Sequence, residues 1–491
     1  MRWFDGLWLV RLLFLRGLGA IYLVAFVSAL NQFPALLGER GLLPVRDFLA
    51  AVRFRDAPSL FHWRYSDRLL RSVAWLGIVL SGLTLVGVTD AAPWPLFVAV
   101  GLLTWALYLS IVNVGQTFYA FGWESMLCEA GFFAAFLGPA DLQPPVIVIV
   151  ILRWMLFRVE LGAGLIKLRH DRCWRDLTCL YYHYETQPLP NPLSRAFHRF
   201  PKPLHRASVA FSHFVQVLAP FGLFAPQPIA SISAALAISQ QFLLIVSGNY
   251  AWLNWLTVVL GVAGFSDAVL APHAAMPATL VRPAIYDGIL YLLAAITAVL
   301  SIRPALNFFS RNQYMNYCWN RLHLVCAYGA FGSITRERYE IVIEGSDDGT
   351  EWKEYGFRAR PGDPARRPPQ VAPYHLRLDW LMWFLPFSVR VTRNRILIPG
   401  YELWFIRFVQ GLLEGDRQTL GLLRQNPFPD RPPTFLRAGY YLYRFAEPRS
   451  GAWWTRTYVD EYLPAITLEI LNGVIPSDKD GSFHTDGDET P

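Results

Sequence analysis

Charge is scarce in this chain. Acidic and basic side chains make up 16 % of its 491 residues, against about 25 % in ordinary soluble domains. A wholly water-soluble protein is therefore not expected. Lysine is nearly missing: the 44 basic residues include only Lys167, Lys202, Lys353 and Lys479, and the other 40 are arginines. That bias suits a GC-rich, bacterial genome. The arginines are scattered among apolar segments and not gathered on one face, so the net charge of +7 does not mark a nucleic-acid reader. No CxxC occurs, which excludes the usual zinc and thioredoxin-like signatures. HExxH, Walker, GxGxxG and GxSxG strings are absent too. His170, His183, His198 and His205 share one stretch without metal-ligand spacing, so neither a metal nor another cofactor is expected. There is no ten-residue alternation of a membrane barrel, and the lack of internal repeats weakens a transporter reading.

What is abundant is apolar surface. Hydrophobic residues reach 54 % and tryptophans number 18, and the mean hydropathy is +0.28. Crossing a bilayer takes about 20 mostly apolar residues. Candidate spans are 7–30, 72–92, 94–113, 126–138, 144–168, 207–225, 228–247, 252–271 and 284–302. The fourth is short and reads as re-entrant or interfacial, so about eight spans are expected, give or take two. In lipid these must be helices, because an unpaired backbone group is too costly there. A short apolar run at 18–29 behind Arg11 and Arg16, ending in Val27-Ser28-Ala29, loosely resembles a signal peptide. A retained first helix is favoured, since apolar residues begin at Leu7.

The fold class expected is a polytopic helical membrane bundle over 1–302, followed by a smaller soluble domain, α+β or mostly β, over 303–465. Residues 466–491 read as a tail, with an acidic disordered end at 478–491. Two long loops interrupt the bundle, at 31–71 and 169–206. In the soluble part, 339–344 alternates as a strand, Ser346-Asp347-Asp348-Gly349 is a turn, and 351–358 is a returning strand. Residues 361–373 form an extended loop. Residues 401–424 are helical, with Trp404, Phe405, Phe408, Leu412 and Leu413 on or near one face. Residues 435–445 and 453–460 are strand-like.

Charges inside the spans carry the most information. Arg153, Glu160 and Lys167 are spaced by seven and fall on one helical stripe, which should face the interior. Interhelical ion pairing is the favoured reading. The rival is a polar pocket with Lys167 as a base or substrate anchor. Glu124 and Glu129 can pair with Arg153 or Arg158. His213, Gln216, Gln240, Gln241 and Asn249 are further polar groups on apolar segments, and His213 reads first as a structural hydrogen bonder. Gly162-Ala163-Gly164 reads as a close-packing site. Cys173/Cys179 and Cys318/Cys326 can each pair on an oxidising side of the membrane, or remain packed thiols. Cys128 reads as buried.

Three strings go further: NQFPALLGERGLLPV (31–45), NVGQTFYAFGWESMLCEAG (113–131) and GAGLIKLRHDRCWRDLTCLYYHYETQPLPNPLSR (162–195). Together they resemble the lipase maturation factor family. RYEIVIEGSDDGTEWKEYGFRARPGDP (338–364), QNPFPDRPPTFLRAGYYLYRF (425–445) and WWTRTYVDEYLP (453–464) look like that family as well. The resemblance runs from about residue 10 to about 465. Its motif positions here are Asn113, Gly115, Gln116, Trp123, Glu124, Lys167, Asp171, Cys173, Trp174, Arg175, Asp176, Glu185, Thr186, Gln187, Pro188, Pro190, Asn191 and Pro192.

The resemblance implies a chaperone-like protein of the endoplasmic reticulum membrane. Its partners would be the bilayer and a secreted client, with lipases as the family's clients and no established catalytic residue. A bacterial source would place it in the inner membrane instead. Exposed aromatic surface can cover apolar patches of an unassembled client, and Trp453, Trp454, Tyr440 and Tyr441 are candidate contacts, although core packing should account for at least half of them. A shorter string, AGLIKLRHDRCW (163–174), is similar to vitamin K-dependent carboxylase-like membrane proteins. There the matching lysine is proposed as a base, which makes Lys167, with Glu160 beside it, the alternative catalytic site.

Overall fold

Runs of leucine, valine, isoleucine and phenylalanine form long helices in a computed structural model. It describes residues 6–474 except Ala274 and 392–395. The acidic end at 478–491, with Lys479, lies outside the described residues. Among the described residues nine helices build the bundle: α1 (Trp8–Leu37), α2 (Asp67–Val86), α3 (Trp94–Asn113), α4 (Gly122–Ala134), α5 (Val146–Arg169), α6 (Lys202–His213, continued by further helical turns to Phe224), α7 (Ile229–Ser247), α8 (Leu253–Val262) and α9 (Ala284–Asn307). Six of them, α1, α2, α3, α6, α7 and α9, are long and apolar enough to cross a membrane. Of the other three, α4 has the 13 residues expected for the short span at 126–138 but begins four residues earlier, α8 is 10 residues long and shorter than the span expected at 252–271, and α5 is long enough but carries the charged stripe.

The loop expected from residue 31 starts only after Leu37, because α1 continues through Pro34 for 30 residues. Val27-Ser28-Ala29 lies inside this helix, with Ser28 and Ala29 buried. Beyond Leu37 the chain folds back on itself before α2 begins at Asp67. The second expected loop, 169–206, is largely short helices, at Arg172–Arg175, Leu180–Thr186 and Ser194–His198. The start of α1 is capped from far away. The Asp267 carboxylate accepts the backbone N–H groups of Trp8, Leu9 and Val10 at 2.7–3.1 Å, meeting the free donors of a helix N-terminus with negative charge.

After α9 the chain forms a four-stranded antiparallel sheet. Its strands are β1 (Arg338–Ser346), β2 (Lys353–Glu354), β5 (Phe435–Phe445) and β6 (Trp454–Ile466), in the order β2-β1-β5-β6. A small β3–β4 pair (Arg390–Val391, Ile396–Leu397) stands apart. β1 runs against β5 from Arg338↔Tyr443 to Ser346↔Phe435. The strand expected at 351–358 shrinks to two residues, because Gly356 leaves β1 to bridge to Gln425. The strand expected at 453–460 instead continues to Ile466, and the following residues Leu468–Val474 are helical. The helix expected at 401–424 is α10 (Leu403–Glu414) and a second turn at Arg417–Leu422, divided at Gly415 in the left-handed conformation. Trp404, Phe405, Phe408, Leu412 and Leu413 are all buried.

The boundary expected near residue 303 is not a gap in packing. One continuous set of buried apolar side chains joins the bundle to the sheet region.

Candidate functional site

The charged stripe of α5 faces inward: Arg153, Glu160 and Lys167 are all buried. They do not pair with one another. Arg153 donates to the backbone carbonyls of Ala263 at 2.7 Å and Leu223 at 3.1 Å. Glu160 accepts from the amides of Gln241 at 2.9 Å and Gln216 at 3.2 Å. Gln216 then accepts from Lys167 Nζ at 2.7 Å. Gln216 thus stands between the two charges, and Lys167 lies 4.8 Å from the centre of the Trp174 ring. The stripe is an amide-bridged polar network, not the direct ion pairing favoured from sequence. Arg158, off the stripe, does make an ion pair, with Glu129, and both side chains are fully buried. His213 Nε2 donates to the Trp174 carbonyl, 3.0 Å away, as a structural histidine would.

Gly164 lets the helical turns after α6 approach α5: a Cβ there would sit 2.8 Å from Val217 Cγ2. A Cβ on Gly162 would meet the Tyr328 carbonyl oxygen at 2.1 Å. This second approach comes from the chain after α9, which lays irregular backbone against α5. Tyr328 also donates to Glu129 at 2.7 Å, and the Cys326 N–H donates to the same carboxylate at 3.0 Å. Non-helical backbone at such depth is tolerated when buried in protein.

Eight of the eighteen motif positions do one job: they join the bundle to the sheet region. Glu124 accepts from Arg377 Nη1 at 2.7 Å, and Trp123 packs edge-on against His375 and Trp380. The Arg338 guanidinium donates to the carbonyls of Glu185, Gln187 and Pro188. Glu185 accepts the Phe445 N–H at 2.6 Å, and the Thr186 carbonyl accepts from Trp383 at 3.0 Å. Asn191 donates to Gln370 at 3.0 Å. Asn249 bridges the carbonyls of Pro190 and Pro369 and accepts the N–H groups of Val371 and Ala372. Pro192 lies half-buried beside Asn191.

The remaining positions hold the loops. Asn113 donates to the carbonyls of Pro58 and Arg321, and Gln116 to that of Leu43. A side chain on Gly115 would collide with Tyr119. Asp171 accepts from Arg336 at 2.8 Å and from the N–H groups of Cys173 and Ile334. Partial burial works against its charge, but these donors hold its carboxyl below the usual carboxylate range. Arg175 and Asp176 are exposed.

Cys173–Cys179 and Cys318–Cys326 are disulfides, and Cys128 is a buried free thiol. His323 approaches one pair and Asp171 the other, but sulfurs bonded to each other offer no thiolate to a metal. His183 hydrogen-bonds the Tyr250 hydroxyl at 2.8 Å. Burial, with a smaller push from Lys167, lowers its pKa to about 3, so it stays neutral.

The four aromatic candidates divide. Trp454 and Tyr440 are 1 % and 2 % exposed and pack inside, which removes them from the surface. Trp453 and Tyr441 are half-buried, the first with the Arg195 guanidinium 3.7 Å from its ring centre. Sequence reasoning missed Arg338, His375 and Arg377. Nothing in the local pattern of the sheet region marks a residue whose partner lies two hundred positions earlier. It also missed a groove between the motif loop and the sheet region. Two adjoining cavities of about 280 and 270 Å³ share Thr186, Thr335, Trp383 and Phe387; Phe387 is exposed there, and the exposed Phe384 packs against it from outside the cavities.

Comparison with known proteins covers both parts of the chain. The family described as "Lipase maturation factor transmembrane domain" matches residues 9–272, and "Lipase maturation factor C-terminal domain" matches 324–464. "Lipase maturation factor 1" of Bos taurus is 39 % identical, covering 96 % of this chain and 91 % of the relative. The Homo sapiens protein of that name is 39 % identical over 94 % and 89 %. "Lipase maturation factor 2" of Homo sapiens is 29 % identical over 94 % and 83 %. No solved structure matches the chain. This multi-pass membrane protein belongs to the lipase maturation factor family.

Proposed function

We propose that the protein assists the folding or assembly of a secreted client of the lipase class, and that the client docks at the groove between the motif loop and the sheet region. The groove carries this reading. Its walls come from both parts of the chain, and Phe384 and Phe387 offer apolar surface beside it. An apolar patch on an incompletely folded chain would gain cover there.

The helix ends support a sidedness. The start of α1 meets Ala140, after α4, and Asp267, after α8, whereas Glu124 at the start of α4 meets Arg377 of the sheet region, so the start of α1 and the sheet region lie at opposite ends of the bundle. Cys173 follows α5 and Cys318 follows α9, both at the end that carries the sheet. Disulfides persist in oxidising compartments. The sheet region then faces the lumen of the endoplasmic reticulum, or the periplasm if the protein resides in a bacterial inner membrane.

The test uses the full chain with Phe384→Ser and Phe387→Ser together, co-produced with a secreted lipase. Lower lipase activity per secreted molecule, at unchanged abundance of the membrane protein, supports the reading. Unchanged client activity overturns it.

A further inference from the structure

We propose that the bundle also binds a single-chain lipid with an anionic headgroup, seated with its head at Lys167 and its chain between α6 and α7. The inference stands on a cavity that adjoins the client groove at His183 and Phe331 but extends away from it to Lys167, Gln240 and Leu243, and it does not depend on the client reading. The cavity measures about 300 Å³, the lower end of small-molecule sites. Its wall is apolar over most of its length, from Phe197, Phe200, Leu204, Phe211, Leu243 and Leu244. Phe200, Leu204 and Leu243 are exposed on the outside of the bundle. A chain can therefore reach the cavity from the exposed side of α6 and α7.

The inner end is polar and incompletely matched. Lys167 lines it, and among the described residues its hydrogen bond is the one to Gln216. Both oxygens of the nearby Glu160 are taken by Gln216 and Gln241, so the carboxylate does not reach the ammonium directly. Gln240 lines the same space. It is 4 % exposed, and its Oε1 has no hydrogen-bond partner. An ammonium whose partners among the described residues are a neutral amide and the Trp174 ring calls for an anionic oxygen, and an orphaned amide oxygen calls for a donor. A headgroup carrying an anion satisfies the first and, where it also bears a hydroxyl, the second. Carboxylate and phosphate heads share this chemistry.

The full-length protein in phosphatidylcholine nanodiscs is photolabelled with diazirine-bearing oleate, and the labelled peptides are mapped. Labels are expected on α6 and α7 facing the cavity. Lys167→Met should lower oleate labelling there by about ten-fold, the size expected for losing a charge-assisted contact, while a diazirine monoacylglycerol, which is neutral, is affected much less. Ser208→Trp, which fills the cavity from a half-buried position, should remove both labels whether or not Lys167→Met folds. Competition by unlabelled lysophosphatidate would assign the site to phosphate heads, and competition by oleate alone to free carboxylates. Labels spread over the outer faces of the bundle, or cavity labels indifferent to both substitutions, would overturn the proposal.

Discussion

Arg377 places Nη1 2.7 Å from Glu124 Oε1, and neither side chain is reached by solvent. The same guanidinium nitrogen donates to the Phe118 carbonyl at 2.7 Å, and the group stacks 3.4 Å from the centre of the Tyr119 ring. The backbone N–H of Arg377 donates to Gln32 on α1. One residue of the sheet region therefore fastens three parts of the bundle.

Removing one partner should leave a buried charge without compensation. Arg377→Met is expected to destabilise the protein by about 3–5 kcal/mol, read as a lower melting temperature in detergent. Arg377→Lys should recover little, since a lysine cannot reproduce the planar stacking on Tyr119. Adding Glu124→Leu to Arg377→Met should restore part of the loss, because no charge is then stranded.

The buried histidines give the stability a direction with pH. His183 is held neutral with its pKa at about 3, against about 6.5 in an unfolded chain. Between these values the unfolded chain binds the extra proton, so stability is present above about pH 6.5 and is lost as pH falls towards 3. The cost reaches about 2 kcal/mol at pH 5. Burial pushes His375 and His323 the same way. A melting series from pH 7.5 to 5 should fall steadily, and His183→Gln should flatten it in part. A flat series for the parent protein would contradict the neutral assignment.

The two disulfides close short loops, with sequence separations of 6 and 8. Replacing either pair by serine should cost about 2–3 kcal/mol on the loop-entropy account. Cys128 should resist a maleimide in the folded protein, since it is buried. Peptide mapping under non-reducing conditions checks the pairing.

Trp454 and Trp453 should separate by their burial. Trp454→Ala removes a fully packed ring stacked 4.3 Å from Phe445 and should cost about 3–5 kcal/mol. Trp453→Ala loses partial burial and a cation–π contact with Arg195, for about 1 kcal/mol. Thermal melting of the two single variants tests this.

The apolar helices, the strand at β5 and the buried face of α10 were legible because each is written in local periodicity. So was the inward stripe of Arg153, Glu160 and Lys167. What occupies the space between those charges was not: Gln216 and Gln241 come from α6's continuation and α7, and only packing brings them to Glu160. The length of α8 was misjudged for a related reason, since an apolar run in a turn or a buried coil looks like an apolar run in a helix. The motif strings were visible as strings, yet their role in fastening the sheet region depended on Arg338 and Arg377, which local sequence does not single out.

The Glu124–Arg377 contact spans 253 residues, and this orders events during synthesis. At roughly 5–20 residues per second, the ribosome takes roughly 10–50 s to make the arginine after the glutamate. Throughout that interval the carboxylate sits in a half-built bundle with no guanidinium to meet. The first 300 residues therefore cannot reach their final arrangement at the moment they enter the membrane. They must wait, loosely assembled, until the last third of the chain has been made and its arginine has arrived to close them.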